Sequence, residues 1–354
     1  MRPDEAKELL GELVGWRPEG GVVSAYVEID PADRSDGWRI SLRDQLADAP
    51  DAAAKAILRR FPEAGKLPEN RTHVGFVDAA GEREIWRSFQ AHDVGVRVFV
   101  EEGPHLGPLV AILDDNWPIG IVLASLERVR VFEWAFGRIE ELDGWELETT
   151  ALDWRERKAP RRDPGSEGTG PSSSGREQHM QRIEHSREKF LKEAGGLVSR
   201  RYGDRGWREL VVIGEGDRPK HLIGGLSPGP LAVHEVHQDL IRATAAEVGK
   251  RLEEELEHLN RSREEALVRR LEEAVGSEVG AALGPDEVVQ ALEEGRARHV
   301  IYAPDGELDG EDRERFGERL IELAIATSAE FTPVEGFAAQ ALQRRKGVAA
   351  LLRY

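Results

Sequence analysis

Residues 165–200, GSEGTGPSSSGREQHMQRIEHSREKFLKEAGGLVSR, run a stretch that no packed core can use straight into a long helical pattern. From 165 to 175 every residue is Gly, Ser, Thr, Pro or Glu, which predicts mobile, solvated chain. At Met180 the pattern changes. Met180, Ile183, Phe190, Leu191, Ala194, Leu197 and Val198 recur at helical spacing and form one apolar stripe. The reading is a rigid stalk with a soft tip. Just upstream, Arg155, Arg157, Lys158, Arg161 and Arg162 crowd together with only Glu156 opposing them, a local net of +4 in a chain of net charge −18. Such an island suits a polyanion.

A chain of 354 residues exceeds what one core normally supports, so two or three domains are expected. No apolar run approaches the ~18 residues of a membrane span, and the start lacks a charged region followed by an apolar one. The expectation is a soluble, unexported, cytoplasmic protein. Cysteine is absent, which excludes disulfides, thiol catalysis and cysteine metal sites. The overall negative charge disfavours indiscriminate coating of nucleic acid and leaves room for a local basic patch placed against RNA.

In chain order, a short amphipathic helix at 4–16 precedes VVSAYVEI (22–29), a β-branched run punctuated by Asp30 and Pro31 that predicts a central strand. Helices follow around Trp38–Leu46 and Ala54–Phe61, then strands at 73–78, 84–89 and 96–100 and a helix at 108–115, giving an α+β domain over 1–115. PIGIVLAS (118–125) is a continuous apolar run typical of a strand covered on both faces. The step Leu126-Glu127 predicts a hairpin into a strand carrying Val129 and Val131. A third strand around 145–148, the loop and long helix, strands at 209–213 and 231–236 and a short helix at 220–223 complete a mixed sheet over 116–237. The last domain, 238–354, opens with a helix expected over 238–273, whose dense charge reads as a solvated face bridging domains. Helices at 286–294 and 311–327 then alternate with strands at 299–303, 330–334 and 348–352, a small three-layer α/β/α domain.

Among short motifs, GREQ at 175–178 is the sharpest. Ser174 with Glu177 three residues on has the form of a capping box, which makes the string the first turn of a helix. The alternative is a functional tip. GEGDRPK at 214–220 lacks the spacing of a phosphate loop and reads as a turn. His234 and His237 lack zinc-ligand spacing and a third ligand, and Ser172, Ser173 and Ser174 lack a nucleophile-elbow context. No metal or cofactor is expected.

Taken whole, the chain resembles the archaeal and eukaryotic class I release factors and their relative Pelota, in a bacterial branch of that superfamily. VVSAYVEIDP is similar to the opening strand of that family's first domain, and PIGIVLASLERVRVFEWAFG to the hairpin opening its central domain. The Gly/Ser loop, GREQ and the following helix resemble its Gly-Gly-Gln loop and helix. DEVVQALEEGRARHVIYA with VAALLRY resembles its last domain. The resemblance implies three domains: the first α+β, the central one a ribonuclease-H-like mixed sheet with a long helix, and the last an α/β/α sandwich like kink-turn-binding ribosomal proteins. It implies a monomer that enters the ribosomal A site, contacts ribosomal RNA and peptidyl-tRNA, and is brought there by a translational GTPase through its last domain, without membrane contact.

On that resemblance Gly175 and Gln178 match the first glycine and the glutamine of the tip that helps water hydrolyse the peptidyl-tRNA ester, while Arg176 and Glu177 depart from the pattern. Arg155, Arg157, Lys158, Arg161, Arg162, Arg176 and Arg182 become the RNA-contacting set. SDGWRISLRDQL stands where the family's Asn-Ile-Lys-Ser motif reads stop codons, so stop-codon reading does not carry over. Balon-like hibernation factors, which keep the plan without the Gly-Gly-Gln loop and occupy the A site of idle ribosomes, supply the non-catalytic alternative.

Overall fold

The computed structural model describes residues 3–30, 37–61, 70–90, 94–135, 138–147, 173–229, 231–276, 280–304 and 312–353. The fold is mixed α/β with three sheets, as the sequence predicts. By contacts the chain divides into two units, Met1–Trp117 together with Glu253–Tyr354, and Pro118–Leu252.

In the first unit, helix α1 (Pro3–Val14) leads into β1 (Val22–Glu28), which lies inside the sheet β3-β2-β1-β4 with β2 (Thr72–Asp78), β3 (Glu84–Phe89) and β4 (Val96–Glu101). Every pairing is antiparallel. Val23, Ala25 and Val27 alternate onto one face, where α2 (Gly37–Gln45) and α3 (Asp51–Arg60) cover them with Leu42, Ala53 and Ile57. On the other face Tyr26 meets Phe76 and Phe99 edge-on, both at 6.1 Å. Helix α4 (Gly107–Asp115) follows, with Pro108 near its start.

The second unit holds the sheet β7-β6-β5-β8-β9. Strands β5 (Ile119–Ala124), β6 (Arg128–Ala135) and β7 (Arg138–Glu146) form an antiparallel meander, and β8 (Glu209–Ile213) and β9 (Ala232–Val236) continue it in parallel. The hairpin turn closes at Leu126-Glu127, where the Ser125 amide donates to the Arg128 carbonyl at 2.8 Å. The third strand starts earlier than the apolar signal around 145–148 suggests. RIEELDGWE is an edge strand with one half-solvated face, so its pairing comes from the β6 ladder rather than from its own hydrophobicity. Helix α5 (Ser173–Tyr202) and the short α6 (Arg218–Ile223) cover one face of the sheet.

Helix α7 (Ala245–Gly276) contributes to both units, the division falling between Leu252 and Glu253. It begins at Ala245 rather than at Gln238 because Thr244 and Glu247 form a capping box: the Glu247 amide donates to Thr244 Oγ1 at 3.3 Å, and the Thr244 amide to Glu247 Oε2 at 2.8 Å. Residues 238–244 are instead held by Arg130, whose Nη1 donates to the carbonyls of Ile241 and Ala243 at 3.1 and 2.6 Å.

The last part of the first unit is a sheet ordered β10-β13-β11-β12, built from β10 (Ala281–Leu283), β11 (Ala297–Tyr302), β12 (Glu330–Pro333) and β13 (Val348–Leu352). Helices α8 (Pro285–Glu293) and α9 (Arg313–Ala326) pack on one face through Val288, Leu292, Phe316 and Leu320. On the other face α7 contributes Leu267 and Leu271, and α10 (Gly336–Leu342) contributes Ala338 and Leu342. This is the expected sandwich, with β10 and α10 added to the elements legible in sequence.

Candidate functional site

Helix α5 is rooted through its C-terminal half. Leu191, Ala194 and Val198 are buried against Val122, Val131, Leu210 and Val212 of the sheet, each large side chain contributing about 2 kcal/mol by leaving water. Two glycines set the depth of that seat. A Cβ on Gly195 would collide with the Leu222 carbonyl oxygen, and one on Gly225 with that of Lys192. Helix α5 and the turn after α6 therefore touch backbone to backbone.

Ahead of Phe190 the burial stops: residues 181–189 are exposed or half-buried throughout. Arg187 ties this stretch to the hairpin turn through Glu127 at 2.5 Å. Gln178 lies nine positions further out, roughly 13 Å along the helix axis. Helix α5 carries seven Arg and Lys against four Glu, opposite in sign to the chain as a whole. His185, Lys189, Lys192 and Arg200, together with Glu188 and Glu193, line an open groove along it, beside Gly196 and Gly225.

Of the residues singled out by sequence, Gly175, Arg176 and Gln178 sit in the first two turns of α5, with helical backbone. Arg182 is exposed on the same helix, and its carbonyl accepts the Ser186 hydroxyl at 2.9 Å. Arg155, Arg157, Lys158, Arg161 and Arg162, and the Gly/Ser run up to 172, lie outside the described residues. Among the described residues no group of His, Asp and Glu forms a metal site, and no helix is long and apolar enough to cross a membrane.

Polar anchors that hold the root of the helix were not singled out by sequence. Asp143 on β7 accepts from Arg201 and, at 3.3 Å, from Tyr202. Glu133 on β6 accepts from Trp207 Nε1 at 2.7 Å and Arg205 at 2.8 Å, with Trp207 stacked on Tyr202 at 5.5 Å. Elsewhere on β6, Arg130 makes a bidentate pair with Glu141 at 2.7 and 2.6 Å. That hydrogen-bonded pairing raises the pKa of the guanidinium and holds the Glu141 carboxyl below its ordinary range.

Residues 104–257, which include the whole second unit, match the family model described as Bacterial archaeo-eukaryotic release factor family 10. No curated protein matches the chain. Among solved structures, the archaeal translation termination factor aRF1 aligns at 18% identity over 100% of this chain and 99% of its own, with a TM-score of 0.26. Pelota from Archaeoglobus fulgidus aligns at 14% identity over 99% and 92%, with a TM-score of 0.36. A ribosome-bound archaeal Pelota, described together with ABCE1, gives 16% identity over 99% and 94% with a TM-score of 0.43, and Dom34 from S. cerevisiae, described as interacting with Hbs1, gives 11% over 96% and 96% with a TM-score of 0.43. These whole-chain likenesses are loose, and the weight rests on the stretch 104–257. Within residues 104–257, the chain is similar to the bacterial archaeo-eukaryotic release factors.

Proposed function

We propose that this protein is a ribosome-associated, release-factor-like factor that enters the A site and presents the outer end of α5 to peptidyl-tRNA. The observation that carries the proposal is the family match over 104–257, because that stretch contains the central sheet, the rooted helix and GREQ together. In this reading Gln178 orients a water molecule against the ester carbonyl. Backbone N–H groups around Gly175 stabilise the oxyanion, and the ester opens to a free peptide carboxylate and the tRNA 3′-hydroxyl. Arg176, Arg182 and the cluster at Arg155, Arg157, Lys158, Arg161 and Arg162 supply phosphate contacts, and a translational GTPase brings the factor in. The second reading is occupancy of the A site without hydrolysis. It is favoured by the helical backbone at 175–178 and by Arg176 and Glu177, which interrupt the glycine-glutamine pattern.

The two separate in one experiment on ribosomes loaded with peptidyl-tRNA. Under the hydrolytic reading the wild-type protein releases peptide, and Gln178→Ala lowers the rate by about 100-fold or more while binding is kept. Binding without release by the wild type establishes occupancy instead. No salt-sensitive association with ribosomes at all would remove both readings.

A further inference from the structure

We propose that His105 and Glu318 form a proton-operated latch within the first unit, closing the last stretch of the chain onto the start of α4 when the imidazole is charged and loosening it when the imidazole is neutral. His105 stands in the short connection between β4 and α4 and is 2% exposed. Its ring lies flat on Phe99, centroids 3.6 Å apart at 11°. Its backbone is fixed on both sides: the amide donates to Ser24 Oγ at 2.9 Å, and the carbonyl accepts the Tyr26 hydroxyl at 2.6 Å. The imidazole is thus held in place while its partners arrive from elsewhere in the sequence.

Those partners are mostly acidic. Nδ1 stands 3.3 Å from Glu101 Oε2 on β4, and Nε2 stands 3.5 Å from Glu318 Oε1 and 3.6 Å from Glu314 Oε1 on α9. Tyr26 of β1 and Tyr302 of β11 are the neighbouring titratable hydroxyls, and Arg17 pairs with Glu322 one turn further along α9. Glu318 also uses both oxygens on backbone: the amides of Leu106 and Gly107 donate to Oε2 and Oε1, each at 2.6 Å. These amides belong to the start of α4, where a helix leaves donors unsatisfied and favours negative charge. One carboxylate therefore joins positions 211 and 212 residues apart in sequence.

Protonation decides whether this arrangement is attractive. A charged imidazole donates toward carboxylates from both nitrogens, whereas a neutral one leaves three carboxylates facing each other across a ring with a single N–H. Burial works against the charged imidazole, but the hydrogen bond to Glu101 and the charges of Glu318, Glu101 and Glu314 outweigh it and raise the His105 pKa. Burial likewise raises that of Glu318, opposed by His105 and the two amides. A raised histidine pKa contributes stability that is present below the ordinary value near 6.5 and is lost as pH rises through the folded value, and the raised carboxyl acts in the same direction.

The test is amide hydrogen exchange on the full chain at about pH 6 and about pH 8.5, corrected for intrinsic exchange chemistry, where protection at Leu106, Gly107 and α9 should fall about tenfold or more at the higher pH. The Leu191 region of α5 serves as internal control and should keep its protection. His105→Gln, which cannot take up the proton, should show the loosened pattern at both pH values. Glu101→Gln should keep the response but move its midpoint to lower pH, since it removes a group that favours the charged ring. A flat response in the wild type overturns the latch whether or not either variant folds. So does an unchanged pH response in folded His105→Gln, or an unmoved midpoint in folded Glu101→Gln.

Discussion

In the second unit, helix α5 is seated by hydrocarbon and by backbone contact at Gly195 and Gly225, with ionisable anchors only at its C-terminal root, whereas in the first unit helix α4 is gripped at both ends by ionisable groups. At its N-terminal end stand Glu318 and His105. At its C-terminal end Arg263 donates to Asp114, which is 3% exposed, at 2.8 Å, and Asn260 donates to the Asp115 carbonyl at 3.2 Å. Loss of hydration, and then the neighbouring Asp114 charge, push Asp115 up to about 6. Glu264, which accepts the Glu335 amide at 3.1 Å, is pushed up to about 7, again chiefly by burial. Asp115 keeps an exposed outer side, so solvent tempers its part and the half-buried Glu264 carries the larger share. The lesson is that similar helix-on-sheet packing can be indifferent to protons in one place and responsive to them in another, according to what closes the seam.

The contrast is broken hardest by removing hydrocarbon. Leu191→Ala empties a site that is 1% exposed and should cost about 2–5 kcal/mol, with the same loss at pH 6 and pH 8 in urea unfolding. A loss that changed with pH would mean that the anchors at Asp143 and Glu133 share in seating this part of α5. Next comes Arg263→Ala, which takes the guanidinium away from the buried Asp114 and should cost about 2 kcal/mol in urea unfolding. A loss under about 0.5 kcal/mol would mean that this pair does not grip the end of α4. The smallest effect is that of pH itself on the wild type. Asp115 and Glu264 bind protons more tightly folded than unfolded, so stability is lost as pH rises from their ordinary values, near 4, through about 6 and about 7. Calorimetry should find the first unit melting roughly 2–4 °C lower at pH 8 than at pH 6, the shift that about 1 kcal/mol produces in a unit of this size.

Much of the architecture is legible in sequence because it is written in periodicity. VVSAYVEI, PIGIVLAS and ELVVI become buried strands, and Leu191, Ala194 and Val198 become the buried face of α5. The elements that escape have weak local signals. AAL of β10 is three residues without β-branching, and GFAAQAL of α10 opens on a glycine in the left-handed region, Gly336 at φ 53°. The capping box at Thr244 and Glu247 is readable, yet the apolar Ile241 ahead of it extends the helical pattern past the true start. Around the candidate site, sequence found the helix and its stripe but not its anchors. Asp143, Glu133 and Arg130 act through partners 58, 72 and 111 residues away, and no local pattern announces pairs that distant. His105 and Glu318 were hidden for the same reason.

The first unit is discontinuous, its two parts separated by the whole of the second. During synthesis the strands and helices of Pro118–Leu252 emerge together and can complete their sheet while the earlier segment is still missing its counterpart. The amides of Leu106 and Gly107 then wait for a carboxylate more than two hundred residues downstream, about 10–40 s at ordinary elongation rates. For that interval the start of α4 is an unsatisfied donor pair, available to chaperones and solvent alike. If the latch operates as proposed, the junction that closes last in translation is also one that a change in acidity reopens.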